Sequence, residues 1–330
     1  MNRLGVHRFS ALVVSISFAF AFFAVVMATT PTSASSLPRY ATTLAVTPNQ
    51  AAGSAPGTTG ATDHATTTTH SRLNPGDHTV TLTVGNLMRS LILHIPANPP
   101  VADRALILVF HGADDTAANT IGETDFEQVA NKNGELVAFM QGYDDTWNEG
   151  AGHTPAEQAH VNDVAFTSAA ITKLEGLVPF DHSRVAVVGF SNGALMVEDL
   201  GCHLAGKLAL IVPVEGPLPV SVSSTCAPSR PLSVLEIHGT ADNAIPYDGG
   251  PFVGVGGGTT VLSAPSSAAR WAVLDHCSST PTVTDPSSTI SLTTYSKCHG
   301  GVSVTLRTIN GGGHEWGNNI GQLVTKALAP

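Results

Sequence analysis

The chain has 330 residues, of which 42% are hydrophobic and only 12% charged, and its formal net charge is −10. The apolar share is enough for a substantial core, and the length suits one large domain or two ordinary ones. The acidic balance argues against a nucleic-acid partner, because no basic surface is available to neutralise phosphates.

The first element in chain order reads as an export signal. Arg3 and Arg8 give a positive start, and Ala11 to Ala28 is an apolar run of 18 residues followed by small residues. Cleavage is expected after Ala28 or Ala34, so residues 1–34 are assigned to a signal peptide rather than a membrane anchor, for which the run is at the lower length limit. Residues 35–75 are Thr-, Ser-, Ala- and Pro-rich, with TTTT at Thr66 to Thr69. Such a segment cannot bury enough apolar surface to offset its ordering entropy and is expected to be a disordered spacer. An exported chain makes its four cysteines, Cys202, Cys226, Cys277 and Cys298, candidates for disulfides. None lies in a C-x-x-C pair, so a zinc ribbon is not indicated. Of three connectivities, the sequential one is preferred: Cys202–Cys226 and Cys277–Cys298.

From residue 76 the pattern becomes that of a folded domain extending to residue 330. HTVTLTV and RSLILHI alternate like two antiparallel strands. ALILVF, LVAFM, RVAVV, LALIVPV and PLSVLEI are continuous apolar runs, as strands buried on both faces would be, and VSVTLRTI is a last strand. Helix-like stretches cover roughly 117–132, 161–176, 192–205 and 264–276, with a short final helix at 320–327. This alternation implies an α/β fold with a mostly parallel sheet covered by helices on both faces.

Reactive groups in such sheets gather at the carboxyl ends of the strands. VAVVGFSNGALM places Ser191 there, between a strand and a helix. Gly189 and Gly193 leave room for a sharp turn that exposes a nucleophile, and the turn aims the Asn192 N–H at an oxyanion. A serine nucleophile needs a base and an orienting acid, in the chain order Ser, Asp, His. PLSVLEIHGTADNAIPY supplies Asp242 beyond a buried strand, and VSVTLRTINGGGHEWG supplies His314 in a Gly-rich loop. Asp248 and Glu236 are rival acids; Glu236 lies within its strand and Asp248 further out. His111 and His238 read as structural. His314-Glu315 has no second histidine four residues on, so metal catalysis is not expected. VFHGADDT offers the Ala113 N–H as a second oxyanion donor, with Gly112 permitting close approach. Trp147 and Trp316 lie in loops at the same strand ends, either as a platform for the acyl group or as packing residues. Asp163 reads as a helix-start residue, and Gly254 to Gly258 as a loop.

Taken together, GFSNGALM, IHGTADNAIPYDGG, INGGGHEWG, FHG and VNDVAF resemble the secreted polyhydroxybutyrate depolymerase-like esterases. These are related to the feruloyl and acetyl xylan esterases of carbohydrate esterase family 1. The resemblance spans about residues 78–325 and implies the α/β-hydrolase fold, with Ser191, Asp242 and His314 as the catalytic triad and no cofactor. It further implies an extracellular enzyme that forms an acyl-enzyme from a hydroxyalkanoate oligomer or a phenolic or acetyl ester of plant wall. Similar proteins often carry cysteines near the four positions here, which supports the sequential pairing. Many of them have a cysteine pair and glycines after the TWN motif, where this chain has TWNEGAGHTPAEQ. No substrate-binding module is visible, so a soluble ester is expected rather than crystalline polyester. The alternatives are a short-chain or lipid carboxylesterase and a catalytically inactive binding protein on the same fold.

Overall fold

Alternating threonines and branched residues make Gly76–Val84 (β1) and Leu87–Ile95 (β2) an antiparallel pair. Only one face of β1 is partly covered, as expected at a sheet margin. This is a computed structural model; it describes residues 73–97, 104–152 and 154–329. The expected signal peptide and all but the last residues of the expected spacer lie outside the described residues.

The continuous apolar runs form strands that are buried along all or most of their length: Leu106–Phe110 (β3), Leu136–Met140 (β4), Val185–Phe190 (β5), Leu210–Val214 (β6) and Ser233–Gly239 (β7). Two further strands pair as a hairpin, Gly250–Gly254 (β8) and Gly257–Val261 (β9). Thr282–Ser287 (β10), Ile290–Tyr295 (β11) and Val304–Ile309 (β12) complete a ten-stranded sheet of order β1-β2-β4-β3-β5-β6-β7-β12-β11-β10. The central run from β4 to β12 is parallel, and the pairs at either margin are antiparallel.

Helices are Ala117–Glu123 (α1), Phe126–Asn133 (α2), Pro155–Gln158 (α3), Asp163–Glu175 (α4), Asn192–Leu204 (α5), Val220–Thr225 (α6), Ala264–Leu274 (α7) and Ile320–Ala327 (α8). Side chains of β3 alternate between two cores. Leu106, Leu108 and Phe110 pack with residues of α4, α5 and α7, such as Phe166, Leu200 and Trp271. Ile107 and Val109 pack with residues of α1, α2 and α8, such as Ala117, Phe126 and Val324. Helix α5 is buried from Asn192 to Cys202, which explains why its sequence is apolar almost all round.

Two expectations are corrected, and one pair of strands was not expected. The single helix at 117–132 is broken between α1 and α2, where Thr124 is extended and Asp125 turns its carboxylate to the Gly321 N–H at the start of α8. Gly254 to Gly258 is not a plain loop but the turn end of the β8–β9 hairpin. The β10–β11 pair escapes notice because β10 is exposed along its length and has no buried face to impose a pattern. Cys202 is bonded to Cys226 and Cys277 to Cys298.

Strand order reverses between β3 and β5, since the chain runs from β3 outward to β4 and then returns to β5. Clefts open at the carboxyl ends of the strands at such a switch point. Here those ends carry His111–Ala113 and Ser191.

Candidate active site

Ser191 occupies the single step between β5 and α5 with φ 56° and ψ −119°, a sparsely populated conformation that costs roughly 1–3 kcal/mol. The turn is held because the Ser191 N–H donates to the Val214 carbonyl at 3.0 Å, while its own carbonyl accepts from Ala194 and Leu195. A Cβ on Gly189 would run into the Gly193 carbonyl, and one on Gly193 into the Phe110 and His111 carbonyls. These two glycines allow the backbone to close so tightly around the serine.

Asp242 lies just beyond β7 with its side chain fully buried. Its Oδ1 accepts the Ala244 and Ile245 N–H groups at 2.8 and 3.0 Å, and its Oδ2 accepts His314 Nδ1 at 2.7 Å. Burial opposes its ionisation, but hydrogen bonds from His238 and His314, the His314 charge and the Ala244 N–H outweigh it and hold the carboxyl well below the usual range. His314 Nε2 then lies 2.9 Å from Ser191 Oγ. The imidazole packs against Phe190, with ring centroids 4.7 Å apart. Ser191, His314 and Asp242 thus form one hydrogen-bonded chain at the ends of β5, β12 and β7. Of the rival acids, Asp248 is exposed and Glu236 is buried within β7.

A cavity of about 470 Å³ opens over Ser191. Ala113 and Asn192 border it beside the serine, and Leu195, Ile245 and Phe252 supply apolar walls. The first N–H groups of α5 have no partner within the helix, so Asn192 presents its N–H at the positive end of the helix dipole. Glu149 and Thr154 also border the cavity. Burial pushes the Glu149 carboxyl up to about 8, against hydrogen bonds from its own N–H, Asn192 and Thr154.

The two tryptophans are not among the residues lining this cavity. Trp147 is fully buried: its Nε1–H donates to the His111 carbonyl at 2.9 Å, and its ring packs edge-on to Phe110. Its backbone N–H donates to Asn192 Oδ1 at 2.9 Å, which fastens the 147–154 loop to α5. Trp316 stacks on Phe190, with centroids 5.3 Å apart, and so stands behind the ring that supports His314. For Trp147 the contacts match the packing alternative, since its indole finds its N–H partner and its apolar contacts inside. His111 is also buried, with Nδ1 donating to the Gly112 carbonyl and Nε2 accepting from Gly142 N–H. Burial lowers its pKa, against the bond to Gly112 and three nearby aspartates.

Two residues, Glu149 and Glu215, escape the sequence reading, and Asp163 has a larger part than a helix start. Asp163 does begin α4, but Asn162 is the cap, and the Asp163 carboxylate forms a buried ion pair with Arg89 at 2.6 Å. Its other oxygen accepts the Asn148 N–H, beside Trp147. Glu149 carries no motif that marks it as cavity-lining. Glu215, directly after β6, is buried with φ 53° and sits among His238 and Asp242. A signal was present in VPVEGP, where an acid follows a buried strand without a turn residue before it.

Among the described residues, metal-type donors also cluster at Asp77, His94 and Glu127. There His94 Nδ1 donates to Asp77 Oδ1 at 2.7 Å and Nε2 faces Asn131 Oδ1 at 3.3 Å, so the imidazole is satisfied by protein groups.

Comparison with known proteins agrees with this architecture. Residues 97–251 match the phospholipase/carboxylesterase family. Feruloyl esterase B of Piromyces equi is 31% identical over 239 residues, covering 70% of this chain and 43% of that protein. The chain therefore spans less than half the length of that relative. Among solved structures, an acetyl xylan esterase from Aspergillus awamori superposes with a TM-score of 0.53 at 15% identity, over 76% of this chain and 98% of that one. The sheet order, the helices on both faces and this superposition define an α/β-hydrolase fold.

Proposed function

We propose that this chain, which has the α/β-hydrolase fold, is a secreted serine esterase with Ser191, His314 and Asp242 as its catalytic triad. The observation that carries the reading is the unbroken line from Asp242 through His314 to Ser191, 2.7 and 2.9 Å, under an open cavity. His314 Nε2 takes the proton from Ser191 Oγ as that oxygen attacks the ester carbonyl carbon. The negative oxygen is held by the Ala113 and Asn192 N–H groups, and Asp242 stabilises the imidazolium. The carbon–alkoxide bond then breaks, and the leaving alcohol takes the proton back from His314. Water attacks the acyl-enzyme by the same route, and the acid leaves.

The apolar walls from Leu195, Ile245 and Phe252 suit an acyl group with a hydrocarbon body. Feruloyl and acetyl esters of plant wall and soluble 3-hydroxybutyrate oligomers are the proposed substrates. Two disulfides and the apolar leader support an extracellular location.

The test is kcat/KM on methyl ferulate, p-nitrophenyl acetate and a soluble 3-hydroxybutyrate oligomer, with fluorophosphonate labelling of Ser191. Ser191→Ala should lower kcat by about 10⁴-fold or more and abolish labelling without loss of fold. A folded wild type that neither labels nor turns over any ester would instead point to a binding protein.

A further inference from the structure

Two carboxyl groups approach each other behind His314. His238 Nε2 lies 3.4 Å from Asp242 Oδ2 and 3.4 Å from Glu215 Oε2, and donates to the Ile245 carbonyl at 3.0 Å. All three side chains are fully buried. Their supply of hydrogen bonds is unequal. Asp242 receives two backbone N–H groups and His314, whereas both oxygens of Glu215 share the single Gly239 N–H, at 2.9 Å each. The groups that bear electrostatically on Glu215 are His238 on β7, Asp242 beyond it and Glu315 beside His314, with no lysine or arginine among them. Two adjacent buried carboxyls do not both ionise; the proton stays on the one with fewer donors.

Glu215 is also placed to align the strand ends. Its own N–H donates to the Ile237 carbonyl at 2.9 Å, and the preceding Val214 carbonyl accepts the Ser191 N–H. Its φ of 53° is strained for a side-chain-bearing residue, and such strain persists where the surroundings over-determine it.

We infer that Glu215 is a positioning residue for the proposed triad: its neutral carboxyl ties the Ser191 turn to the Gly239–Asp242 turn and leaves Asp242 as the sole anion behind His314. The inference rests on the esterase reading above. Burial first, then the proximity of Asp242 and the charge of Glu315, pushes the Glu215 carboxyl up to about 9, against the Gly239 N–H. Above that pH a second charge forms next to Asp242, repels it and alters the basicity of His314.

The experiment compares wild type, Glu215→Gln and Glu215→Leu by pH–rate profile and by infrared difference spectra. Glu215→Gln keeps a neutral hydrogen-bonding group, so kcat at pH 7 should stay within roughly threefold while the alkaline fall near pH 9 disappears. Glu215→Leu should lower kcat by about 10–100-fold with KM little changed, the usual scale for small misplacements of reacting groups. The spectrum of wild type minus Glu215→Gln should contain a protonated-carboxyl band at pH 7 that is lost above pH 9. A missing band, an unchanged alkaline limb in Glu215→Gln or an unchanged kcat in Glu215→Leu would each overturn the inference. A wild type with the band but with no ester turnover or labelling would overturn the esterase reading and the positioning role together, and the band separates that result from failure of the inference alone.

Discussion

Gly193 passes so close to Gly189 that a Cβ at position 189 would overlap the Gly193 carbonyl oxygen, carbon and the next nitrogen. Neither glycine has a positive φ, so the requirement is for space rather than for backbone freedom. The strained residue between them is Ser191. Relief of the overlap must widen the turn and move Oγ away from His314. Gly189→Ala is expected to cost at least 100-fold in kcat/KM, the order found when reacting groups shift by about 1 Å. The check is kinetics together with circular dichroism: a folded variant at full activity would refute the geometry.

The Arg89–Asp163 pair should be a stability element with a functional reach. Arg89 lies over the Phe166 ring at 4.1 Å and donates to the Gln141 carbonyl, so its charge is deep in the molecule. Removal of one partner leaves an uncompensated buried charge. Asp163→Ala is expected to destabilise by about 3–5 kcal/mol, and a double change to well-packed apolar residues by much less than the two singles summed. Since Asp163 also holds Asn148, the loop that brings Glu149 and Thr154 to the cavity should loosen and KM should rise. Denaturant melts of the cycle, with KM for each folded variant, decide it.

These relationships mark the limit of what was legible in the chain. The ends of β5, β7 and β12 can be read because each is a buried strand followed by local punctuation, and so Ser191, Asp242 and His314 can be singled out. The roles of Trp147 and Trp316 cannot be read that way, because burial is decided by Phe110, His111 and Phe190, which arrive from other strands. Glu215 is hidden for the same reason: its meaning lies in Gly239 and Asp242, more than 20 residues away in the chain. The β8–β9 hairpin is a Gly-rich run without alternation, and its pairing becomes visible only in three dimensions.

The disulfides should contribute stability more than activity. Cys202–Cys226 and Cys277–Cys298 join residues 24 and 21 apart, and loops of that size are worth about 3 kcal/mol each in the chain-entropy model. Cys277–Cys298 anchors the segment after α7 far along the chain from Ser191. Its replacement by two alanines is expected to lower Tm by roughly 6–12 °C while kcat/KM at 25 °C stays near wild type. Calorimetry with and without reductant tests this, and an unchanged Tm after full reduction would rule it out.

Stability should also fall as pH rises from mildly acid to mildly alkaline. Glu198 on α5 and Glu236 on β7 are fully buried side by side in the core, where Trp271 Nε1–H donates to Glu198 at 2.6 Å and Ser267 Oγ at 3.3 Å. Burial pushes Glu198 up to about 8, against those two hydrogen bonds, and it pushes Glu236 well up with the Glu198 charge adding to it. The folded state therefore retains protons that the unfolded chain gives up near its ordinary value of 4.5. With more protons bound when folded than unfolded, the stabilisation is full below that value and is lost as pH climbs towards 8, at up to about 1.4 kcal/mol per pH unit for each group. Asp242 acts in the opposite sense: its depressed pKa adds stability above the ordinary aspartate range that is lost on strong acidification. Tm should accordingly peak near the ordinary glutamate range and decline across pH 5–8. Glu198→Gln keeps an acceptor for Trp271 and Ser267 but cannot ionise, so it should flatten that decline. A Tm profile in Glu198→Gln as steep as in wild type would show that Glu198 is not its source.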